Sequence, residues 1–294
     1  MIDGVSASCV ALPHAPWPRL LDFLSARLPA VSAEQWAARM AAGRVLDAQG
    51  QPLHVDAAYT PGQRVYYYRE LEAEPELPFE EHIVFQDEHL LVADKPHFMP
   101  VTPTGRYVQQ SLLVRLKKRT GIQTLTPIHR IDRETAGLVV FSVRAQDRDA
   151  YQRLFREQAV EKVYEAIAPV RSDVALPSVY RSRIVQDAQF FRQREEHGAP
   201  NSETALELIQ SQQDYGLYRL SPRSGRTHQL RVHMNALGRP IVGDLFYPVV
   251  AHGPEHRDED WSQPLRLLAR SIAFVDPVTG QTRSYCSAQN LSWP

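Results

Sequence analysis

With 294 residues, 43% of them hydrophobic and 23% charged, the chain can bury one large core and still hold a second, small domain. A net charge of −1 gives no argument from composition for a nucleic-acid partner, and no apolar run approaches the roughly 20 residues that would span a bilayer. Cys9 and Cys286, near opposite ends, make neither a disulfide framework nor a zinc site on their own, and the opening residues lack the charged start and long apolar centre of a secretory signal, so a cytoplasmic protein is expected.

In chain order, the segment up to Pro18 reads as irregular. Leu20, Leu21, Phe23, Leu24 and Leu28 then follow a helical spacing that Pro29 stops. Ser32 followed by Gln35 predicts a capping box for a second helix through Met40, closed by Gly43. Short strands at 45–46 and 63–68, with turns at Gly50 to Pro52 and at Pro61-Gly62, complete a helix-helix-strand module over residues 1–69. Glu70, Glu72, Glu74, Glu76, Glu80 and Glu81, interleaved with prolines, predict an acidic linker over 70–81.

The remaining residues, 82–294, form the second domain. Strands are predicted at 82–85 and 90–93, a helix with a basic end at 111–118, a buried strand at 138–143, and a helix at 145–158 with Tyr151, Leu154 and Phe155 on one face. Residues 162–168 alternate as a strand. Strand candidates crowd 180–221, notably 204–209 and 216–220. A helix from about Arg226, with Gln229, Val232 and His233 on one side, ends at Gly238, and strands at 265–274 and 282–286 follow. Many neighbouring strands without a regular βαβ repeat give an α+β class. The basic groups at 115–119 and at Arg181, Arg183, Arg192 and Arg194 offer a local face for phosphates, although each alone reads as an ordinary solvated surface.

The most informative stretch is HRIDRETAGLVVFSV, residues 129–143. It places Asp132 between Arg130 and Arg133 on a loop feeding an apolar strand, where a rigid scaffold can hold chemistry in place. A carboxylate flanked by guanidiniums reads as a nucleophile rather than a proton donor, while a surface loop with solvated ion pairs is the plain alternative. A paired-carboxylate glycosidase is a second alternative, but Asp132 and Glu134, two apart, should point in different directions. His228 and His233 are about 140° apart on a helix and cannot share a metal; His252 and His256 have better spacing, but Gly253 and Pro254 make that segment a loop.

Three motifs then agree. HRIDRETAGLVVFS resembles the HRLDxxTSGLLLFA motif of RluA-type pseudouridine synthases, Lys162 to Ala166 resembles the KxYxA strand of that family, and GRTHQLRVH at 225–233 with GRPIVGD at 238–244 and Tyr247 resembles its GRTHQLRVHxxxxGxPIxGDxxY motif. Asp94 to Val101 is similar to the family's NKPxGxxV segment, with Asp94 for Asn and His97-Phe98 where a glycine is usual, a departure that bears on the local loop geometry because a larger residue does not freely adopt positive φ. Leu268 stands before Ala269 where the family usually has a histidine. The first module is similar to a small RNA-binding domain first seen in a ribosomal small-subunit protein, but its second helix offers only Arg39, with Arg44 following.

The resemblance implies a pseudouridine synthase fold, with a mixed, mostly antiparallel sheet flanked by helices, plus a small N-terminal α/β module. It implies isomerisation of uridine in ribosomal or transfer RNA, on a base flipped out of its stack. Asp132 would be the nucleophile or base at the sugar, Arg231 its ion-pair partner, and Tyr164 a stacking residue on uracil able to assist at carbon 5. Arg130 would fill the gap left by the flipped base or hold phosphate, Leu230 would line the uracil pocket, and Lys162, Arg226 and His228 would contact substrate. Substrate and product are isomers, so no redox cofactor or metal is required. RNA is the implied partner, with no membrane or DNA, and a monomer is the default.

Overall fold

The computed structural model describes residues 4–5, 7–68, 74–189, 191–251 and 260–294. The chain divides into two compact units, residues 1–75 with 103–109, and residues 76–102 with 110–294. Glu70 and Glu72 of the predicted linker, and the pair His252 and His256, lie outside the described residues.

The first unit contains β1 (Ser8–Ala11), α1 (Leu20–Arg27), α2 (Ala33–Ala41), β2 (Val45–Leu46) and β3 (Arg64–Tyr67), with β3 antiparallel to both other strands. Leu20, Leu21, Phe23 and Leu24 of α1 meet Trp36 and Met40 of α2 in a core completed by Val45 and Val65. The capping box forms as its residues dictate, with Gln35 N donating to Ser32 Oγ at 3.2 Å and Ser32 N donating to Gln35 Oε1 at 3.0 Å. The irregular opening segment predicted from the sequence is corrected by β1. Four residues are too few for alternation to stand out, and this strand exists because Ser8–Ala11 pairs with Arg64–Tyr67, far along the chain.

The second unit contains β4 (His82–Gln86), β5 (Leu90–Lys95), α3 (Leu112–Thr120), β6 (Thr126–Pro127), β7 (Ala136–Ser142), α4 (Arg148–Arg156), β8 (Glu161–Pro169), β9 (Val179–Gln186), β10 (Gln193–Glu196), β11 (Ser202–Gln212), β12 (Tyr215–Pro222), α5 (Gln229–Ala236), β13 (Leu267–Val275) and β14 (Thr282–Cys286). One sheet runs β10-β9-β11-β12-β8-β13-β7-β5-β4, with β14 added on β13 and β6 on β7. Among the described residues only the β13–β7 pairing is parallel, so the sheet is mixed and mostly antiparallel. Every residue of β7 is buried, as a near-continuous apolar strand in mid-sheet requires. The helix predicted over 145–158 is shorter, because Ala145–Asp147 form a tighter 3-10 turn before α4.

Strand order sets the distances that matter for function. Ala269 of β13 is registered with Gly137 of β7 on one side and with Tyr164 of β8 on the other, so the loop before β7 and Tyr164 stand one strand apart. Gly137 has φ +110, and a Cβ there would lie 2.3 Å from the Ala269 carbonyl oxygen. Backbone cannot retreat from such a clash as a side-chain end can. Gly137→Ala should therefore cost about 3 kcal/mol or more, read as a lower chemical-denaturation midpoint; a midpoint within the error of wild type would overturn the close-approach account.

Phe98 takes a left-handed turn, the conformation that favours glycine. It adopts φ +64 and buries its ring, which stacks on Phe79 at 5.9 Å between centroids. Left-handed backbone costs a non-glycine residue about 1–2 kcal/mol, whereas removing a buried phenyl ring costs about 3–5 kcal/mol. Packing thus outweighs strain at Phe98.

Three histidines are built in as neutral rings. Val140 N donates to His129 Nε2 at 3.1 Å, His233 sits between Thr204 Oγ1 on one ring nitrogen and the hydroxyls of Ser182 and Ser202 on the other, and His97 Nδ1 lies 2.7 Å from the Glu134 carbonyl. Burial pulls His129 down to about 3 and both His97 and His233 to about 4. Above pH 6.5 these rings are neutral whether the chain is folded or not. Below it only the unfolded chain gains the protons, so stability falls by up to about 1.4 kcal/mol per pH unit for each ring until the folded values are reached. His89, raised by its hydrogen bond to Asp147, opposes this trend singly. The denaturation midpoint is expected to drop between pH 6.5 and pH 4, and a flat profile there would contradict the neutral-ring reading.

Candidate active site

Asp132 occupies the loop between β6 and β7, and three successive carbonyls of that loop are tied down. Thr135 N donates to Asp132 O at 3.2 Å, Lys95 Nζ to Arg133 O at 3.0 Å, and His97 Nδ1 bonds Glu134 O at 2.7 Å. Lys95 is fully buried and also donates to Pro96 O; desolvation pulls its ammonium down to about 7 against the opposing charges of Glu134 and Asp132. The nucleophile candidate is therefore carried on a backbone with little freedom to shift.

Arg231 comes from α5, which lies against β9, β10 and β11. The predicted helix start at Arg226 is corrected to Gln229. His228, at φ 54 and ψ 16, turns the chain into the helix, while Gln229 Oε1 accepts from Arg226 N and Ser224 Oγ and its Nε2 donates to Glu203 O and Thr204 Oγ1. Two residues on, Arg231 is 1% exposed. Its Nε and Nη2 grip Asp244 at 2.8 and 2.7 Å, and its Nη1 donates to Asp132 Oδ2 at 3.3 Å and stands 3.8 Å from Glu134 Oε2. Phe246 and Tyr247 flank the guanidinium, with ring centroids 4.9 and 5.6 Å from Cζ. Burial works against the charge, but the bidentate bond to Asp244 and the neighbouring carboxylates more than offset it, and the net effect raises Arg231.

The expectation that Asp132 and Glu134 point apart is corrected: both reach Nη1 of one arginine. The alternation rule applies to extended strands, and these residues lie on a turn closed by the Thr135 to Asp132 backbone bond. Glu134 is raised by burial but lowered more by Arg133 and Arg231, and the net shift is downward.

Tyr164 is half-buried on β8, its phenol pushed up by burial and by the charge of Asp132. Leu230 is buried beside Ala166, Leu206 and Met234 in the core cluster against which Tyr164 packs. Lys162 Nζ donates to Ser224 O at 3.2 Å and is lowered by burial. His228 Nε2 stands 3.8 Å from Asp132 Oδ2. Arg226 is exposed, its Nε on Asn201 O. Arg130 is exposed and, among the described residues, has no ion-pair or hydrogen-bond partner. The geometry thus gathers Asp132, Arg231 and His228, sets Tyr164 one strand away within the influence of the Asp132 charge, and leaves Arg130 and Arg226 on the surface.

Asp244, Lys95 and His97 received no role from the sequence. Asp244 lies inside a quoted motif, and a buried arginine needs a carboxylate, which was the available signal. Nothing local links Lys95 or His97 to a loop nearly 40 residues away.

Among protein families, residues 89–236 match the model for RNA pseudouridylate synthases. A dual-specificity RNA pseudouridine synthase RluA of Haemophilus influenzae is 32% identical over 69% of this chain and 90% of its own. A tRNA pseudouridine synthase C of Vibrio parahaemolyticus is 30% identical over 69% of this chain and 88% of its own. Of the solved structures, that of human RNA pseudouridylate synthase domain containing 1 superposes with a TM-score of 0.57 at 25% identity, over 74% of this chain and 86% of that one.

Proposed function

This chain belongs to the RNA pseudouridylate synthase family, and from that premise we propose that Asp132, Arg231 and Tyr164 carry the isomerisation of uridine to pseudouridine in ribosomal or transfer RNA. The observation that carries the assignment is the buried Arg231 joining Asp132 at 3.3 Å while Asp244 fixes the guanidinium from behind. Arg231 holds one oxygen of Asp132, and Oδ1 takes no hydrogen bond among the described residues, so it is the oxygen free to act at the sugar.

In the reaction the uridine leaves its stack and enters the site, and Arg130, exposed and without an ion-pair or hydrogen-bond partner among the described residues, takes the vacated position or a neighbouring phosphate. Asp132 acts at ribose carbon 1′ or on the proton at carbon 2′. The bond from carbon 1′ to nitrogen 1 breaks, the uracil turns, and carbon 5 bonds to carbon 1′; carbon 5 loses a proton and nitrogen 1 gains one, so atoms balance. Tyr164 stacks on the uracil. Burial and the Asp132 charge keep its phenol protonated, which supports a hydrogen-bond donor more than a base. Leu230 supports the uracil pocket, and Lys162 steadies the turn at Ser224.

The reading extends to a catalytic domain over 82–294, preceded by a linker at 70–81 and a small RNA-binding-like module at 1–69 that serves packing or RNA contact, in a cytoplasmic monomer. Among the described residues no helix is long and apolar enough to cross a membrane. The test is to map pseudouridine in total RNA from cells with and without the gene, and to treat the deficient RNA with purified protein. Loss and cofactor-free restoration of the same position supports the proposal; release of free uracil, or no changed position, overturns it.

A further inference from the structure

Tyr247, Gln193 and His228 form a chain of hydrogen bonds that ends beside the nucleophile. The Tyr247 hydroxyl accepts from Gln193 N at 2.8 Å and donates to Gln193 O at 3.0 Å, and His228 Nδ1 lies 3.1 Å from the same oxygen. A phenol has one proton. Committed to the Gln193 carbonyl, it offers His228 only a lone pair, and Nδ1 must then carry hydrogen. A neutral ring protonated at Nδ1 has a bare Nε2. That nitrogen stands 3.8 Å from Asp132 Oδ2, too far to be hydrogen-bonded to it, on a side chain 9% exposed. Phe246 stacks on the ring at 29° and Tyr247 meets it edge-on, so the ring is held in this orientation. Burial lowers His228 despite the nearby charge of Asp132, in keeping with a neutral ring.

A nearly buried acceptor beside the reacting carboxylate requires a donor. Resting on the assignment of Asp132 to chemistry at carbon 1′ or 2′, the part of the substrate brought against this nitrogen is the sugar. Inside an RNA chain the 3′ and 5′ oxygens are esterified and the ring oxygen bears no hydrogen, which leaves one donor, the 2′-hydroxyl. We propose that His228 Nε2 accepts a hydrogen bond from the 2′-hydroxyl of the target nucleotide, and that His228 is thereby the residue by which this site distinguishes ribose from deoxyribose. The tautomer set by Tyr247 and Gln193 makes this possible, since an Nε2 bearing hydrogen would have no lone pair to offer. A protein tells RNA from DNA at a single position through that hydroxyl.

The experiment is a two-by-two comparison of single-turnover rates. Wild type and His228→Asn, whose asparagine tolerates left-handed backbone but is too short to reach, are each given a synthetic stem-loop copied from the mapped target, with uridine or 2′-deoxyuridine at the modified position. The loss caused by His228→Asn on the uridine substrate should exceed its loss on the deoxy substrate by about tenfold to a hundredfold, the range for a buried acceptor deprived of its donor. His228→Gln, with an amide oxygen near the place of Nε2, should recover part of the difference. Equal losses on both substrates would show a structural role and overturn the inference. A wild type that modifies neither the stem-loop nor any cellular RNA would overturn the proposed function itself, which separates the two failures.

Discussion

Replacing Asp132 by asparagine is expected to reduce pseudouridine formation by at least about a thousandfold, because the amide can neither attack carbon 1′ nor take a proton from carbon 2′. The fold should survive. The loop is held through backbone carbonyls by Thr135, Lys95 and His97, none of which uses the Asp132 side chain. The carboxylate is partly exposed, and Arg231 keeps its bidentate partner Asp244 when Asp132 is neutral. Denaturation midpoint and conversion of purified RNA, measured on the same preparation, separate the effects. Substantial conversion by a well-folded Asp132→Asn protein would remove the nucleophile from the mechanism.

Arg231→Lys is expected to produce the next largest effect, about a hundredfold or more in single-turnover rate, with a smaller loss of RNA affinity. A lysine carries the same charge as a single point and cannot repeat the planar grip on Asp244 while reaching Asp132. Asp244, fully buried, would lose two short bonds to the guanidinium and keep those from Phe246 N and Tyr247 N. Breaking up a buried pair in this way costs about 3–5 kcal/mol when a partner is removed outright, and less when a lysine fills part of the space. Stability should therefore fall alongside rate. Rate and affinity falling by the same factor would instead assign Arg231 to holding phosphate.

Much of this arrangement could be read before any coordinates. Apolar runs gave the buried strand β7, the capping box gave α2, and three motifs named Asp132 and Arg231, which the fold joins in an ion pair, and Tyr164, which stands one strand away from the loop before β7. What escaped the sequence depends on partners distant along the chain. β1 exists only through β3, and Lys95 and His97 matter only because the loop after β6 returns over them. The start of α5 was misplaced because a histidine, not a glycine, takes the left-handed turn there, and the Gln229 side chain supplies the bonds that settle the helix end. The convergence of Asp132 and Glu134 on Arg231 is not legible from their spacing, because two residues apart has one meaning on a strand and another on a tight turn. Phe98 shows the same limit, since its backbone strain is visible in the sequence but the packing that outweighs it is not.

The triple tether beneath Asp132 also divides labour between enzyme and nucleic acid. With the backbone that carries the reactive carboxylate anchored, the geometric adjustment needed to bring sugar and carboxylate together has to be made by the RNA. Local looseness of the transcript around the target, its readiness to swing a nucleotide outward, should then set turnover among substrates of equal sequence, and pinning that uridine in a stable helix should silence it.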